Sequence, residues 1–184
     1  MGVTLQAMVR ELIHKYCAGN EALEALLLRH SEDVARRAVR IARAHPELGA
    51  DEAFLREAAM LHDIGCCRVD APGIFCYGTE PYIRHGILGA EILRSEGLPR
   101  HARVAERHTG TGLTAREIAR QALPLPPRDL TPETVEEQIV CYADKFYSKS
   151  HPDVEKSPEQ ALRSLEKFGS EGLRVFKAWR NRFE

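Results

Sequence analysis

The stretch Ala53-Phe54-Leu55-Arg56-Glu57-Ala58-Ala59-Met60-Leu61-His62-Asp63-Ile64-Gly65 decides how the rest of the chain is read. An apolar, helix-forming run ends in an adjacent His and Asp, and a glycine then stops the helix. Taken alone, the pair is a polar helix end. Its meaning depends on which other polar groups the chain places near helix ends.

Working outward, the chain repeats one pattern. Leu5, Met8, Val9, Leu12, Ile13 and Tyr16 recur at three- and four-residue steps and predict a first helix over roughly 4–18. A second helix carries Leu23, Leu26 and Leu27 inward and ends near His30. Ser31, followed by Glu32 and Asp33, reads as the N-cap of a third. That third helix turns Val34, Ala38, Ile41 and Ala42 inward and Arg36, Arg37, Arg40 and Arg43 outward, as a solvated face. After Gly65 comes a long loop, Cys66 to Pro81, longer than most helix connections and of the length that often carries function. Further helices are expected from Pro81 in the first turn to Gly97, with Ile83, Ile87, Leu88, Ile92 and Leu93 inward, from Pro99 to His108, over Thr114–Ala122, from Pro132 to about Ser148, and twice more after Ser157 and Ser170. Trp179 and Phe183 are expected to pack back on the core. There is no sustained strand alternation. The fold class expected is all-α: a single domain over 1–184, about eight helices, with a core over about 26–150 and a C-terminal helical appendage over 157–184.

Bulk properties exclude several classes. The chain has 184 residues, is 43% hydrophobic and 29% charged, and carries a formal net charge of -1. Without a basic field, nucleic acid is not the expected partner. No apolar run approaches the roughly 20 residues of a membrane helix. The N-terminus lacks the basic-then-apolar order of a secretory signal, and the five cysteines are an odd number. A cytoplasmic protein with reduced thiols is expected. Cys66-Cys67 and Cys76 follow the His-Asp pair, but no C-x-x-C spacing supports a thiolate zinc site.

Eight histidines are present. His14, His45, His101 and His151 sit beside charged residues or prolines and read as surface residues. The other four fall at element ends: His30 between two expected helices, His62 beside Asp63, His85 after the long loop, and His108 before Thr109-Gly110-Thr111-Gly112. His101 is seven residues before His108, about 10 Å away along a helix, too far to share its shell. Asp144 follows the apolar run Ile139-Val140-Cys141-Tyr142-Ala143. A buried carboxylate there needs a partner or a metal, and Lys145 points about 100° away around the helix. Imidazoles and carboxylates gathered at helix ends are what a hard or borderline divalent ion requires.

The order His30, His62-Asp63, Asp144 resembles the HD superfamily of metal-dependent phosphohydrolases. His62-Asp63-Ile64-Gly65 matches its HDIG variant letter for letter, and His85 with His108 resembles the subset that binds two ions. The resemblance covers roughly 26–150. It implies that His30, His62, Asp63 and Asp144 bind one metal ion and that Asp63, His85 and His108 bind a second, with Asp63 bridging. The shell suits iron, manganese or zinc better than magnesium. Arg107-His108-Thr109-Gly110-Thr111-Gly112 with Tyr142-Ala143-Asp144 is similar to small bacterial HD proteins that hydrolyse diadenosine tetraphosphate. After Asp144, however, Lys145-Phe146-Tyr147-Ser148-Lys149 departs from that pattern. No Gly-Tyr-Pro string is present, against a cyclic-di-GMP phosphodiesterase. No Glu-Asp pair follows Asp63, against a (p)ppGpp hydrolase.

The function expected is hydrolysis of a nucleotide or other small phosphate ester by hydroxide formed on the ions. Asp63, Lys145 and Arg84 are the expected catalytic residues. Thr109 and Lys149 are expected to contact substrate, with the Gly110/Gly112 loop offering N–H groups to an anion. Tyr77, Glu80 and Tyr82 are expected to shape the pocket. The same six ligands also resemble HD-type diiron oxygenases, and an inactive nucleotide-binding regulatory domain is a third reading.

Overall fold

The computed structural model describes residues 5–166 and 169–184. The expected helix start at Thr4 lies outside them, as does the Leu5 side chain. Nine α-helices occur among the described residues: α1 Leu5–Tyr16, α2 Glu21–Ala44, α3 Glu52–Leu61, α4 His85–Ser95, α5 Pro99–Arg107, α6 Ala115–Arg120, α7 Val135–Asp144, α8 Pro158–Ser164 and α9 Ser170–Phe183. The all-α class holds. One small sheet interrupts it: β1 Val69–Ala71, β2 Cys76–Tyr77 and β3 Glu80–Pro81, in the order β2-β1-β3. β1 pairs antiparallel with β2 and parallel with β3. Strands of two or three residues are too short to show the two-residue period, so the segment read as loop.

The two helices expected on either side of Ser31 are one. α2 runs 24 residues from an Asn20 cap, whose side chain accepts the Leu23 N–H at 3.1 Å. Ser31 is buried, and among the described residues its hydroxyl has no hydrogen-bond partner. The Ser-Glu-Asp signal is genuine as local chemistry, but α2 packs along both α3 and α7, and that contact carries the helix straight through it. Continuity also corrects Arg37, which was expected to face outward. It lies seven residues after His30, on the same helix face. Its guanidinium sits 3.3 Å from the Phe146 ring centroid and pairs with Glu155 and Glu184.

α3 stands between two apolar clusters. Phe54, Leu55, Ala58 and Ala59 pack with α2, α7 and α9, where Trp179 and Phe183 join Tyr142 and Phe146 as expected. Leu61 and Ile64 pack with α1, α4 and the first strand. His62-Asp63 is therefore held from both sides by buried apolar neighbours.

His101 is not a surface residue. It is 8% exposed, its Nε2 lies 3.1 Å from Glu57, and its ring meets Phe54 edge-on. On α5, Glu106 is buried and accepts from Arg94 at 2.7 Å and Arg128 at 3.0 Å. Burial pushes its pKa up, but the two arginines outweigh burial and hold it below the usual glutamate range. A lowered folded pKa adds stability above the unfolded value, about 4.3, and loses it as pH falls through the folded one. Glu106→Gln is expected to cost about 1.5–3 kcal/mol at neutral pH. It should also flatten the loss of stability below about pH 4.3. Urea midpoints across pH measure both.

Candidate metal centre

Four helix ends meet at one point. His62 caps the C-terminus of α3, His108 caps that of α5, Asp144 is the last residue of α7 and His85 is the first of α4. His30 reaches them from mid-α2. The last carbonyls of a helix lack intrahelical donors, and here imidazoles supply them. His62 Nδ1 donates to Ala59 O at 2.6 Å and His108 Nδ1 to Ala105 O at 2.7 Å. His85 Nδ1 donates to Tyr82 O at 2.7 Å. A carbonyl only accepts, so each Nδ1 carries a proton; His85 and His108, whose pKa values burial lowers, then present the Nε2 lone pair inward.

The imidazole Nε2 atoms and carboxylate oxygens converge in two groups that share Asp63. In the first, His30 Nε2 lies 3.0 Å from Asp144 Oδ1 and 3.2 Å from Asp63 Oδ2. His62 Nε2 lies 3.0 Å from Asp63 Oδ2 and 3.4 Å from Asp144 Oδ1. In the second, Asp63 Oδ1 is 3.3 Å from His108 Nε2 and 3.6 Å from His85 Nε2. His85 and His108 face each other Nε2 to Nε2 at 3.0 Å.

That last contact tests whether a cation fits. Burial, and then His108, push the His85 pKa down to about 3, and burial lowers that of His108. Both rings are neutral near pH 7, so two lone pairs oppose each other with no proton between them. A divalent cation resolves the conflict. His62 Nε2 is buried and, among the described residues, has no hydrogen-bond partner, as a group aimed at a common central point would be. The donor set of imidazoles and carboxylates fits a divalent ion of intermediate hardness.

The carboxylates stay charged against burial. Burial works to raise both pKa values, but His62 and Lys149 hold Asp63 well below the usual range, and Lys145 with His30 does the same for Asp144. His62 is pushed up to about 9, because Asp63 and Asp144 overcome its burial. Lys149 Nζ lies 2.6 Å from Asp63 Oδ2 and 3.3 Å from the Tyr82 hydroxyl. Lys145, expected to point away from Asp144, pairs with it and also donates to His108 O at 3.0 Å. The 100° rotation describes the Cα–Cβ direction, and a four-carbon stem is long enough to bend back.

A cavity of about 490 Å³ opens over the cluster, lined by His85, His108 and Asp144 and by Thr109, Lys145 and Lys149. Tyr82 lines it too, stacked on His85 at 4.6 Å between ring centroids. Arg84 is not brought to it; its guanidinium bonds Glu80 one turn away at 2.6 Å. Tyr77 is 67% exposed and outside the lining, as is Glu80. Lys156, Ser148, Ser150 and Ser164 line the cavity without any signal in the sequence, since none belongs to a motif. Cys66 donates its thiol toward Asp63 Oδ1 at 3.8 Å. Its neighbour Cys76, together with burial, raises its pKa, so it remains a thiol and offers no thiolate to a metal.

Comparison with known proteins places this geometry. The family model described as HD domain matches residues 27–148. A tRNA (cytidine(56)-2'-O)-methyltransferase of Picrophilus torridus is 38% identical over 130 residues, 70% of this chain and 33% of that protein. The enzyme of the same name from Thermoplasma volcanium is 34% identical over 139 residues, 75% of this chain and 35% of that protein. An uncharacterized protein of Methanocaldococcus jannaschii is 42% identical over 97 residues, 52% of this chain and 50% of that one. The chain thus spans about a third to a half of the length of these relatives. Among solved structures, the HD domain of the L. monocytogenes phosphodiesterase PgpH superposes with a TM-score of 0.54 at 18% identity, covering 91% of this chain and 93% of that one. Its complex with cyclic-di-AMP superposes equally well. The PgpH likeness is one of fold, and the family assignment rests on the match over 27–148: the chain belongs to the HD domain family.

Proposed function

We propose that this protein is a metal-dependent phosphohydrolase acting on a nucleotide or another small phosphate ester. One observation carries the reading: six buried donor residues converge in two groups that share Asp63, at the floor of a lysine-lined cavity. His30, His62, Asp63 and Asp144 would hold one divalent ion, and Asp63, His85 and His108 a second. Iron, manganese or zinc suits these donors better than magnesium. Ions bound there supply Lewis acidity, lowering the pKa of water and neutralising phosphoryl charge. The chain's own residues do the rest. The Ala59, Tyr82 and Ala105 carbonyls fix the imidazole tautomers. Lys145, held between Asp144 and His108 O, fixes one carboxylate and presents positive charge to the cavity. Thr109 and Lys149 line the cavity and would meet the substrate there.

The names of the two methyltransferases support a second reading, in which the phosphate ester is carried on RNA. Both readings are tested together. Protein purified without chelator is assayed for metal, then screened with manganese or iron against nucleotides, phosphate esters and tRNA ends. Metal-dependent release of phosphate is expected. Oxygen consumption in place of phosphate release would overturn the proposal in favour of an HD-type oxygenase. Removal of the ions is expected to lower the melting temperature. At a hundredfold excess over Kd, bound metal adds about 2.7 kcal/mol, or roughly 5–10 °C for a chain of this size. An unchanged melting curve on chelation would count against a bound ion.

A further inference from the structure

We propose that the cavity selects a terminal phosphate, a phosphomonoester dianion, over a diester, and that Lys149, positioned by Tyr82, recognises it. This rests on the phosphohydrolase reading and narrows its substrate class.

The argument is one of charge. The cluster has two carboxylates, and each already faces an ammonium: Asp144 faces Lys145, and Asp63 faces Lys149 at 2.6 Å. The carboxylates of the cluster are thus each matched by an ammonium before any ion is bound. Among the described residues lining the cavity, Asp144 is the one carboxylate. The charge of a divalent ion therefore has no further side-chain anion to offset it and must be met by the ligand. A phosphomonoester brings two negative charges and three unsubstituted oxygens, a diester one charge and two oxygens. In a site this buried the second charge counts for far more than in water.

The two inner lysines are placed differently. Lys145 is tied on two sides, to Asp144 and to the His108 carbonyl. Lys149 has Asp63, the Tyr82 hydroxyl at 3.3 Å and the Tyr82 ring at 6.0 Å. Tyr82 is itself set by stacking on His85. With Asp63 engaged in holding an ion, the Lys149 ammonium would lose the anion it now faces. The cavity that Lys149 lines is where a phosphate oxygen can replace that partner. Hydrolysis needs no other reactant. Water forms the new P–O bond, the P–O bond to the alcohol breaks, and the alcohol leaves with one of the water's protons.

The test measures binding of inorganic phosphate and of dimethyl phosphate to the manganese-loaded full chain by calorimetry. Phosphate is expected to bind at least tenfold more tightly than the singly charged diester. Lys149→Met should weaken phosphate at least tenfold, with metal content unchanged and dimethyl phosphate less affected. Lys149→Arg should restore part of the loss. Equal binding of the two anions, or wild-type phosphate binding by Lys149→Met, overturns the proposal. Should Lys149→Met lose metal, Tyr82→Phe removes only the hydroxyl that positions the ammonium. It must then weaken phosphate relative to dimethyl phosphate, and an unchanged ratio overturns the proposal. A metal-loaded wild type that binds neither anion overturns the phosphohydrolase reading itself, and this proposal with it.

Discussion

Asp63→Ala is expected to empty the metal centre and to lower kcat/KM for phosphate ester hydrolysis by about a thousandfold or more. The reason is position. Asp63 is 1% exposed and is the residue shared by both donor groups, with Oδ2 facing His30 and His62 and Oδ1 facing His108 and His85. No other side chain in the cluster holds both groups, so its loss should reduce metal content at both rather than at one. The substitution also strands the Lys149 ammonium. Breaking a buried pair from one side costs about 3–5 kcal/mol, and a lowered urea midpoint is expected with the loss of metal. Asp63→Asn separates the two effects, because it keeps the shape and one acceptor oxygen while removing the charge. It should fold better than Asp63→Ala and still bind far less metal. Metal analysis and a phosphate-release assay on both variants measure this, and an Asp63→Ala protein that retained metal and hydrolysis would refute the assignment.

Gly65→Ala is expected to damage fold and site together, although Gly65 is not itself a candidate ligand. A Cβ at Gly65 would lie 2.0 Å from His85 O and 2.4 Å from Gly89 N, both backbone atoms that cannot rotate aside. α4 would have to withdraw, and His85, its first residue, would go with it. Ordinary overpacking costs about 1–3 kcal/mol; here the expected loss is at the top of that range or above. The His85–His108 side of the centre should lose metal before the His30–His62 side. Gly73→Ala is the control, since a Cβ there meets nothing within 4 Å. It should stay within about 0.5 kcal/mol of wild type. Wild-type metal content and urea midpoint in Gly65→Ala would show that the close approach is not required.

Gly65 also shows where sequence reading stops. As a letter after His62-Asp63-Ile64 it read as a helix stop that releases a loop. In the fold it is the point of closest approach between two segments, which depends on where α4 lies. Features set within a few residues were legible: the apolar faces of the helices, the helix ends that bear His62 and His108, and the return of Trp179 and Phe183 to the core; the helix expected to run to about Ser148 instead ends at Asp144. Features set by distant partners were not. Ser31 carries a sound capping signal, but α3 and α7 pack along α2 on both sides of it and the helix continues. His101 sits among charged residues in sequence, yet Phe54 and Glu57 of α3 cover it. Lys149 was singled out for substrate contact, but its placement against Asp63 joins positions 86 residues apart. The imidazole anchors were within reach of local reasoning. A histidine at a helix C-terminus has the carbonyl three residues back within range, and both His62 and His108 use it.

X-ray absorption at the metal edge of the protein as purified, or after loading with iron, manganese or zinc, tests the central claim most directly. The account predicts a first shell of nitrogen and oxygen only, near 2.0–2.2 Å for zinc, with imidazole scattering and no sulfur, lost in Asp63→Ala. A sulfur shell near 2.3 Å, or no bound metal after loading, would contradict it.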